Sequence, residues 1–388
     1  MTLIAILALA IWCFLAFFHG GFWRADQRLG ATRDAALTRW PTVTAVIAAR
    51  NEASTIGAVV AAHIAADYRG DFNVIMIDDQ SGDGTADIAR AAADGSDRLT
   101  VIGGAPLPDG WSGKLWAVEQ GVQAALANHA PDYFLLTDAD IVLAPDTLSR
   151  LAAKAETESL SLVSLMARLD ARGFWGGLLI PAFLFFFQKL YPFALANDPH
   201  ENIAAAAGGC MLVRASELTA AGGVAAIRDQ LIDDCALART IKDLTPATRI
   251  WIGLATDEAV SQRDNRSLSS VWTMVARTAF TQLGHSPMML AFAVAGMTLI
   301  YLAPPLIAIG VAAHGDWLAA GLALIAWGVM ARLYFPTLKL YGGEPWQAAT
   351  LPAAAAFYAA MTIDSALRHW RGHGGQWKGR HYDLSKTS

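Results

Sequence analysis

Charge is scarce in this chain: Asp, Glu, Lys and Arg supply 16% of 388 residues, while apolar residues supply 54%. So little charge argues against a wholly water-soluble protein and leaves room for one catalytic domain of ordinary size plus several membrane segments. The net charge is −5 and no basic block precedes the tail, which argues against a nucleic-acid partner. Cysteine is nearly missing. Cys13, Cys210 and Cys235 are odd in number, scattered and without CxxC spacing, which fits neither a disulfide framework nor a zinc site and points to a reducing compartment. Internal repeats and low-complexity tracts are lacking as well.

What is plentiful lies at the two ends. Thr2 to Phe18 is uncharged, has no Lys or Arg before it, and is followed by Arg24, Arg28, Arg33 and Arg39. It lacks the positive n-region of a signal peptide and reads as an uncleaved anchor, residues 1–20, with the following domain on the cytoplasmic side. Met288 to Ala313 is charge-free and long enough to span. Trp317 to Pro336 is interrupted by Arg332, and Ala348 to Ile363 is short and alanine-rich, so residues 286–367 read as a membrane region of two to three helices. The basic tail, residues 368–388, with Arg368, Arg371, Lys378, Arg380 and Lys386, favours the inside.

From about residue 40 to 285, short β-branched runs alternate with alanine-rich helical stretches, the pattern of an α/β domain on parallel strands. Val43 to Ala48 reads as a strand, and Ser54 to Ala65 as its helix with Ser54 as N-cap. Asn73 to Ile77, Tyr133 to Leu136 and Leu160 to Met166 read as further strands, and Thr85 to Ala93 as a helix. Two of these strands end in acid pairs, Asp78-Asp79 and Asp138-x-Asp140, and a third pair, Asp233-Asp234, opens a helix. A carboxylate at the carboxyl end of a buried strand needs a cation, a donor or a ligand, and parallel sheets bind ligands at that edge. Asp138 and Asp140, two apart at a strand end, could grip one hard divalent cation, Mg2+ or Mn2+, or else form a solvated turn. Asp79 could accept from a base N–H or a ribose hydroxyl, while Asp83 braces the turn after it.

Ala48-Ala49-Arg50-Asn51-Glu52, the turn from Asp78 to Thr85, Gly113-Lys114, Thr137 to Asp140, Gly208-Gly209-Cys210 and Asp233-Asp234, in this order, resemble the family 2 glycosyltransferases. With the flanking membrane segments and the tail from Gly374 to Arg380, the chain is similar to the hopene-associated glycosyltransferases and, more distantly, to ceramide glucosyltransferases. The resemblance implies a GT-A fold and a nucleotide-sugar donor. Ala49, Arg50 and Glu52 would then line the nucleotide pocket, Asp79 would contact the uracil with Asp78 sharing an unspecified part, and Lys114 would neutralise phosphate. Asp138 and Asp140 would hold the metal, Asp140 most directly. Asp234 would be the general base, since an acceptor hydroxyl needs a carboxylate to take its proton as it attacks. Adjacent helical residues lie about 100° apart, so Asp233 is expected to orient the loop or cap the helix.

Gly208, Gly209 and Cys210 would floor the acceptor site, or simply turn the chain into the strand Met211 to Val213. A lipid acceptor is suggested by Phe174 to Leu195, rich in Phe and Leu yet broken by Gly176, Gly177, Pro181 and Pro192, which reads as an interfacial element or as buried core. Arg277 stands as a diphosphate clamp or a juxtamembrane anchor; Met274 and Thr278 beside it depart from the Gln/Arg-x-x-Arg-Trp of processive relatives. The whole points to a multi-pass enzyme of the bacterial inner membrane, its catalytic domain facing the cytoplasm. Its expected reaction is inverting hexosyl transfer from a UDP-sugar to a hopanoid, or to another polyprenyl or sphingoid-like lipid; a non-catalytic membrane scaffold is the reading from a different class.

Overall fold

A computed structural model describes residues 1–30, 37–128, 130–245, 247–310, 315–372, 376–377 and 380–381. The chain divides into two compact units. One contains Asp26–Leu169 and Leu195–Arg263, and the other Met1–Ala25, Asp170–Ala194 and Asp264–Gln376.

The first of these is built on a seven-stranded sheet. Its strands are β1 (Val43–Ala49), β2 (Phe72–Asp78), β3 (Leu99–Gly103), β4 (Tyr133–Asp138), β6 (Leu162–Met166), β7 (Cys210–Arg214) and β8 (Ile250–Leu254), in the order β3-β2-β1-β4-β7-β6-β8. Only β7 runs antiparallel to its neighbours. Strand β1 is buried along its whole length, as a central parallel strand covered on both faces must be, and so its sequence is an unbroken apolar run. Val43, Ala45 and Ile47 face the core made with Ile56, Val59 and Val60 of the helix Ile56–Ile64. Val46 and Ala48 face the core made with Leu115, Val118 and Val122 of the helix Gly113–Asn128. That second helix lies so close that a Cβ at Gly121 would stand 2.4 Å from Val46 Cγ1.

Register sets the site. Ala49 pairs with Asp78 and Ala48 with Asp138, so the two acid-bearing strand ends flank β1. Thr137 pairs with Cys210, which puts Gly208 and Gly209 beside the end of β4. A separate two-stranded ribbon, β5 (Ile141–Leu143) with β9 (Ala259–Ser261), pairs Ile141 with Ser261 and brings the chain after β9 back to Asp140.

Local differences from the sequence reading have physical causes. The first helix starts at Ile56 rather than Ser54, and its N-cap is Thr55, whose hydroxyl donates to the Ala139 carbonyl (3.0 Å) instead of capping. Residues 51–53 are held instead by the neighbouring turn, with Asn51 N, Glu52 N and Ala53 N donating to Ser81, Thr85 and Asp83. Strand β4 continues through Asp138, and Asp140 lies past its end in a turn. The two acids therefore do not share one strand face.

The other unit is helical: Thr2–Phe17, Gly173–Leu190, Leu268–Ala276, Pro287–Gly310, Trp317–Leu340 and Leu351–Trp370. Among the described residues three helices, Gly173–Leu190, Pro287–Gly310 and Trp317–Leu340, are long and apolar enough to cross a membrane. Thr2–Phe17 has 16 residues, a rise of about 24 Å at 1.5 Å each, against a hydrocarbon core of about 30 Å. The expected N-terminal anchor is thus shorter than a full span. From Gly173 to Leu190 the Phe-rich stretch is one continuous 18-residue helix in spite of Gly176, Gly177 and Pro181, and it stops before Pro192. Gly176 permits this packing, since a Cβ there would meet the Ala171 carbonyl carbon at 2.9 Å.

Pro304 has no N–H, so the Ile300 carbonyl, four residues earlier, lacks its helical donor, and the backbone around it, Thr298–Leu302, opens into a π turn. The fully buried Trp12 fills the gap, its indole N–H donating to Ile300 O at 2.8 Å. Of the tail motif, only Gln376, Trp377 and Arg380 fall within the described residues.

Candidate active site

Two loops cross-tie at the ends of β1 and β2. Asp79 N donates to the Ala49 carbonyl (2.8 Å), Arg50 Nη1 donates to the Asp79 carbonyl, and the same guanidinium stands 3.6 Å from the Asp79 carboxylate. Asn51 takes a left-handed backbone (φ 51°), and its side chain accepts from Gly82 N. Asp83 accepts from Ala53 N, Thr85 N and the Thr85 hydroxyl, which holds its carboxyl below the usual range. It braces the turn, as expected. Asp79 is 1% exposed, and the buried Asp78 Oδ1 accepts no hydrogen bond from any described residue.

Lys114 sits in the first turn of Gly113–Asn128 and joins two of the acid pairs. Its ammonium lies 2.9 Å from Asp138 Oδ1 and 3.0 Å from Asp233 Oδ2. Burial opposes that charge, but the two carboxylates outweigh burial and hold the ammonium above its ordinary pKa. Asp234, next along the helix Asp233–Lys242, accepts from Gly208 N (2.9 Å) and Cys235 N (2.7 Å). Burial first, and the neighbouring Asp233 second, push its carboxyl up to about 6, against the pull of Lys114 and both backbone donors. Gly208 lies directly against both groups: a Cβ there would be in ordinary contact with Lys114 Nζ (3.4 Å) and Asp234 Oδ2 (3.5 Å). Lys114, Asp138, Gly208 and Asp233, with Leu136, Thr137, Met211 and Leu237, line a small cleft.

Asp233 therefore corrects the sequence expectation. It makes no cap; it turns to Lys114, so both acids of the pair reach one cluster. The helical-wheel argument fails because the first turn of a helix is met from its end as well as its side. Cys210 is fully buried and its thiol is pushed up to about 12 by that burial, so it is structural, and Gly209 gives its carbonyl to the Thr137 hydroxyl (2.9 Å).

Asp140 belongs to a second cluster that sequence reasoning missed. Its Oδ2 accepts from the Ser261 hydroxyl (2.6 Å), and its Oδ1 lies 3.3 Å from Arg263 Nη2, which also stands 3.5 Å from Glu52 Oε1. Burial opposes the Arg263 charge, and Asp140, Asp138 and Glu52 together keep it raised. Only the three-residue strand Ala259–Ser261 before it could have signalled Arg263, and its pairing with β5 is invisible in sequence. Arg277 lies in the helical unit, exposed at the end of Leu268–Ala276, and is not among the residues these contacts join.

Among the described residues no three His, Cys, Asp or Glu side chains group as a self-sufficient metal site. Asp138 and Asp140 are hard oxygen donors of the kind Mg2+ and Mn2+ take, and such ions habitually complete their shell with phosphate oxygens and water. The pair fits an ion that arrives with a diphosphate.

Residues 44–218 match the family model for glycosyl transferase family 2, and this match supports a transferase. No curated protein matches. Among solved structures the chain is similar to a mannosyltransferase from Pyrobaculum calidifontis in complex with GDP-Man and Mn2+, at 20% identity over 98% of this chain and 99% of that one, TM-score 0.52. It is also similar to glucosyl-3-phosphoglycerate synthase from Mycobacterium tuberculosis in complex with Mg2+ and UDP, at 20% identity over 67% of this chain and 84% of that one, TM-score 0.43. The first likeness establishes the GT-A fold.

Proposed function

We propose that this protein is a membrane-bound, inverting glycosyltransferase that moves a hexose from a UDP-sugar to a lipid alcohol, a hopanoid hydroxyl being the acceptor its motifs favour. The observation that carries the reading is the Asp234 carboxylate, seated on Gly208 N–H with its pKa near 6, in a cluster whose lysine also touches Asp138. A base poised near neutrality is what removal of a hydroxyl proton during attack requires.

The donor's nucleotide would lie against β1 and β2, where the orphaned Asp78 Oδ1 and the braced Asp79 offer acceptors to base or ribose. Lys114 would keep one positive charge beside the diphosphate. Asp138 and Asp140 would hold a divalent cation, Mg2+ or Mn2+, which when bound supplies charge to the departing UDP. The acceptor oxygen attacks the anomeric carbon as Asp234 takes its proton, the bond to the diphosphate breaks, and the centre inverts. Asp138 and Asp233 are both tied to Lys114, which leaves Asp234 to act as base and accords with an inverting route. The mannosyltransferase of like fold, solved with GDP-Man and Mn2+, accords with a nucleotide sugar and a divalent ion.

The test is to compare, by mass spectrometry, lipids from cells with and without the protein, and to supply the purified full chain with UDP-glucose, Mn2+ and a hopanoid alcohol. A hexosyl lipid of opposite anomeric configuration, formed only with the protein, is expected. Transfer exclusively to a soluble acceptor would overturn the lipid assignment.

A further inference from the structure

Two helices of the helical unit measure out a membrane. Thr2–Phe17 and Trp317–Leu340 run in the same direction, since Thr2 Oγ1 meets Asp316 Oδ2 (3.4 Å) at one end and Trp23 meets Arg332 at the other. From Trp317 to Arg332 is 15 residues, a rise of about 23 Å, so Arg332 lies close to where a hydrocarbon core of about 30 Å gives way to headgroups. Leu3, Ile4, Leu7, Leu318, Leu324 and Ile325 are exposed between those levels, as a lipid-facing surface is.

At the Arg332 level two cations share one indole. The Arg24 guanidinium stands 5.8 Å from the Trp23 ring centroid and that of Arg332 5.7 Å. Both arginines are exposed, and neither has a carboxylate within 4 Å among the described residues. The ring is fixed, because Trp23 Nε1 donates to Ala16 O (3.0 Å), and Gly21 lets Arg24 fold back, a Cβ there standing 3.1 Å from Arg24 Nε. Elsewhere in this unit the arginines next to acids are paired, Arg172 with Asp170, Arg266 with Asp264 and Arg368 with Asp364. Here two like charges gather without a counter-ion, beside exposed Phe17 and Phe18.

We infer that Arg24, Trp23 and Arg332 form a binding site for the phosphodiester of an anionic phospholipid. Guanidinium forks match phosphate oxygens bidentately, the indole body suits the interface, and basic pockets between helices at the headgroup level are where such lipids are held. The inference goes beyond the glycosyl-transfer reading and needs only that these helices lie in a bilayer.

The experiment is native mass spectrometry of the full chain, released from detergent after titration with equal amounts of phosphatidylglycerol and phosphatidylcholine. Wild type should retain phosphatidylglycerol roughly tenfold over phosphatidylcholine. Arg24→Gln with Arg332→Gln should bring the ratio close to one, Arg24→Lys with Arg332→Lys should restore part of it, and Arg69→Gln, which removes a similar arginine stacked on Trp40, should leave it unchanged. Absence of a preference in wild type, or its survival in the double glutamine variant with an unaltered melting curve, would overturn the site. Full displacement by millimolar inorganic phosphate would also overturn it, in favour of a small-anion site. A protein extracted without detergent would instead defeat the membrane reading itself.

Discussion

Two clusters of acids face the carboxyl ends of β1 and β4, each organised by one cation, and they are built differently. Lys114 lies between Asp138 and Asp233 with its side chain 23% exposed, whereas Arg263 lies between Glu52 and Asp140 at 44%. The lysine contacts are short, 2.9 and 3.0 Å; those of the arginine are 3.3 and 3.5 Å and run from a more exposed guanidinium to carboxylates that are themselves buried. Short contacts around a mostly covered cation fix geometry, while longer contacts from a partly exposed guanidinium are more readily displaced. The lysine cluster thus suits a rigid base, and the arginine cluster suits a site whose cation must yield when a metal-bound diphosphate enters.

The sharpest way to break this contrast is Asp234→Asn. It should lower turnover about 10³-fold, within the range proton transfer contributes, while donor affinity by calorimetry stays as in wild type. Native-rate transfer would remove Asp234 from the role of base. The same residue sets the pH dependence: kcat/KM should fall as pH drops below about 6. Because burial raises this carboxyl in the folded state, its proton is held more tightly there than in the unfolded chain. The resulting stabilisation is complete below about 3.8 and lost as pH rises through about 6, so Asp234→Asn should gain stability relative to wild type over that window.

Lys114→Met, next in size, strands two carboxylates and should cost about 3 kcal/mol in chemical denaturation, and Arg263→Met, whose contacts are longer and whose guanidinium is more exposed, should cost less. Equal losses would erase the distinction between the clusters. Asp140→Ala should weaken UDP-sugar binding about 100-fold in Mn2+ and much less without it, as measured by calorimetry. Ser261→Ala, which removes only the hydroxyl at 2.6 Å from Asp140, should weaken the same binding about tenfold or less. An Asp140 variant with unchanged metal-dependent affinity would dismiss the cation assignment.

Strands β1, β2, β4, β6 and β7 are legible as short apolar runs, and acids at the ends of β2 and β4 stand out against them, whereas β3, half-buried at the sheet edge, and β8 escape the sequence reading. The roles of Lys114, Arg263 and Ser261 are less legible, since each depends on which strands lie side by side. A lysine that reads as a phosphate partner turns out to tie Asp138 to Asp233, and an arginine with no motif of its own meets Asp140 only through the pairing of β5 with β9. The continuous helix Gly173–Leu190 was hidden for the opposite reason. Glycine and proline are local breakers, and here Gly176 is needed for close packing against Ala171.

The Trp12 indole on the Ile300 carbonyl has a bearing on the order in which the protein is made. Its two ends are 288 residues apart, so Thr2–Phe17 must wait for all of that chain to be made before its donor finds an acceptor. The seven strands of the sheet have all been made once Leu254 is synthesised, whereas the helical unit takes segments from before, within and after that stretch. Thr2–Phe17 is therefore made early and latched late, and a ribosome stalled before Ile300 would leave Trp12 without the acceptor it has in the finished protein.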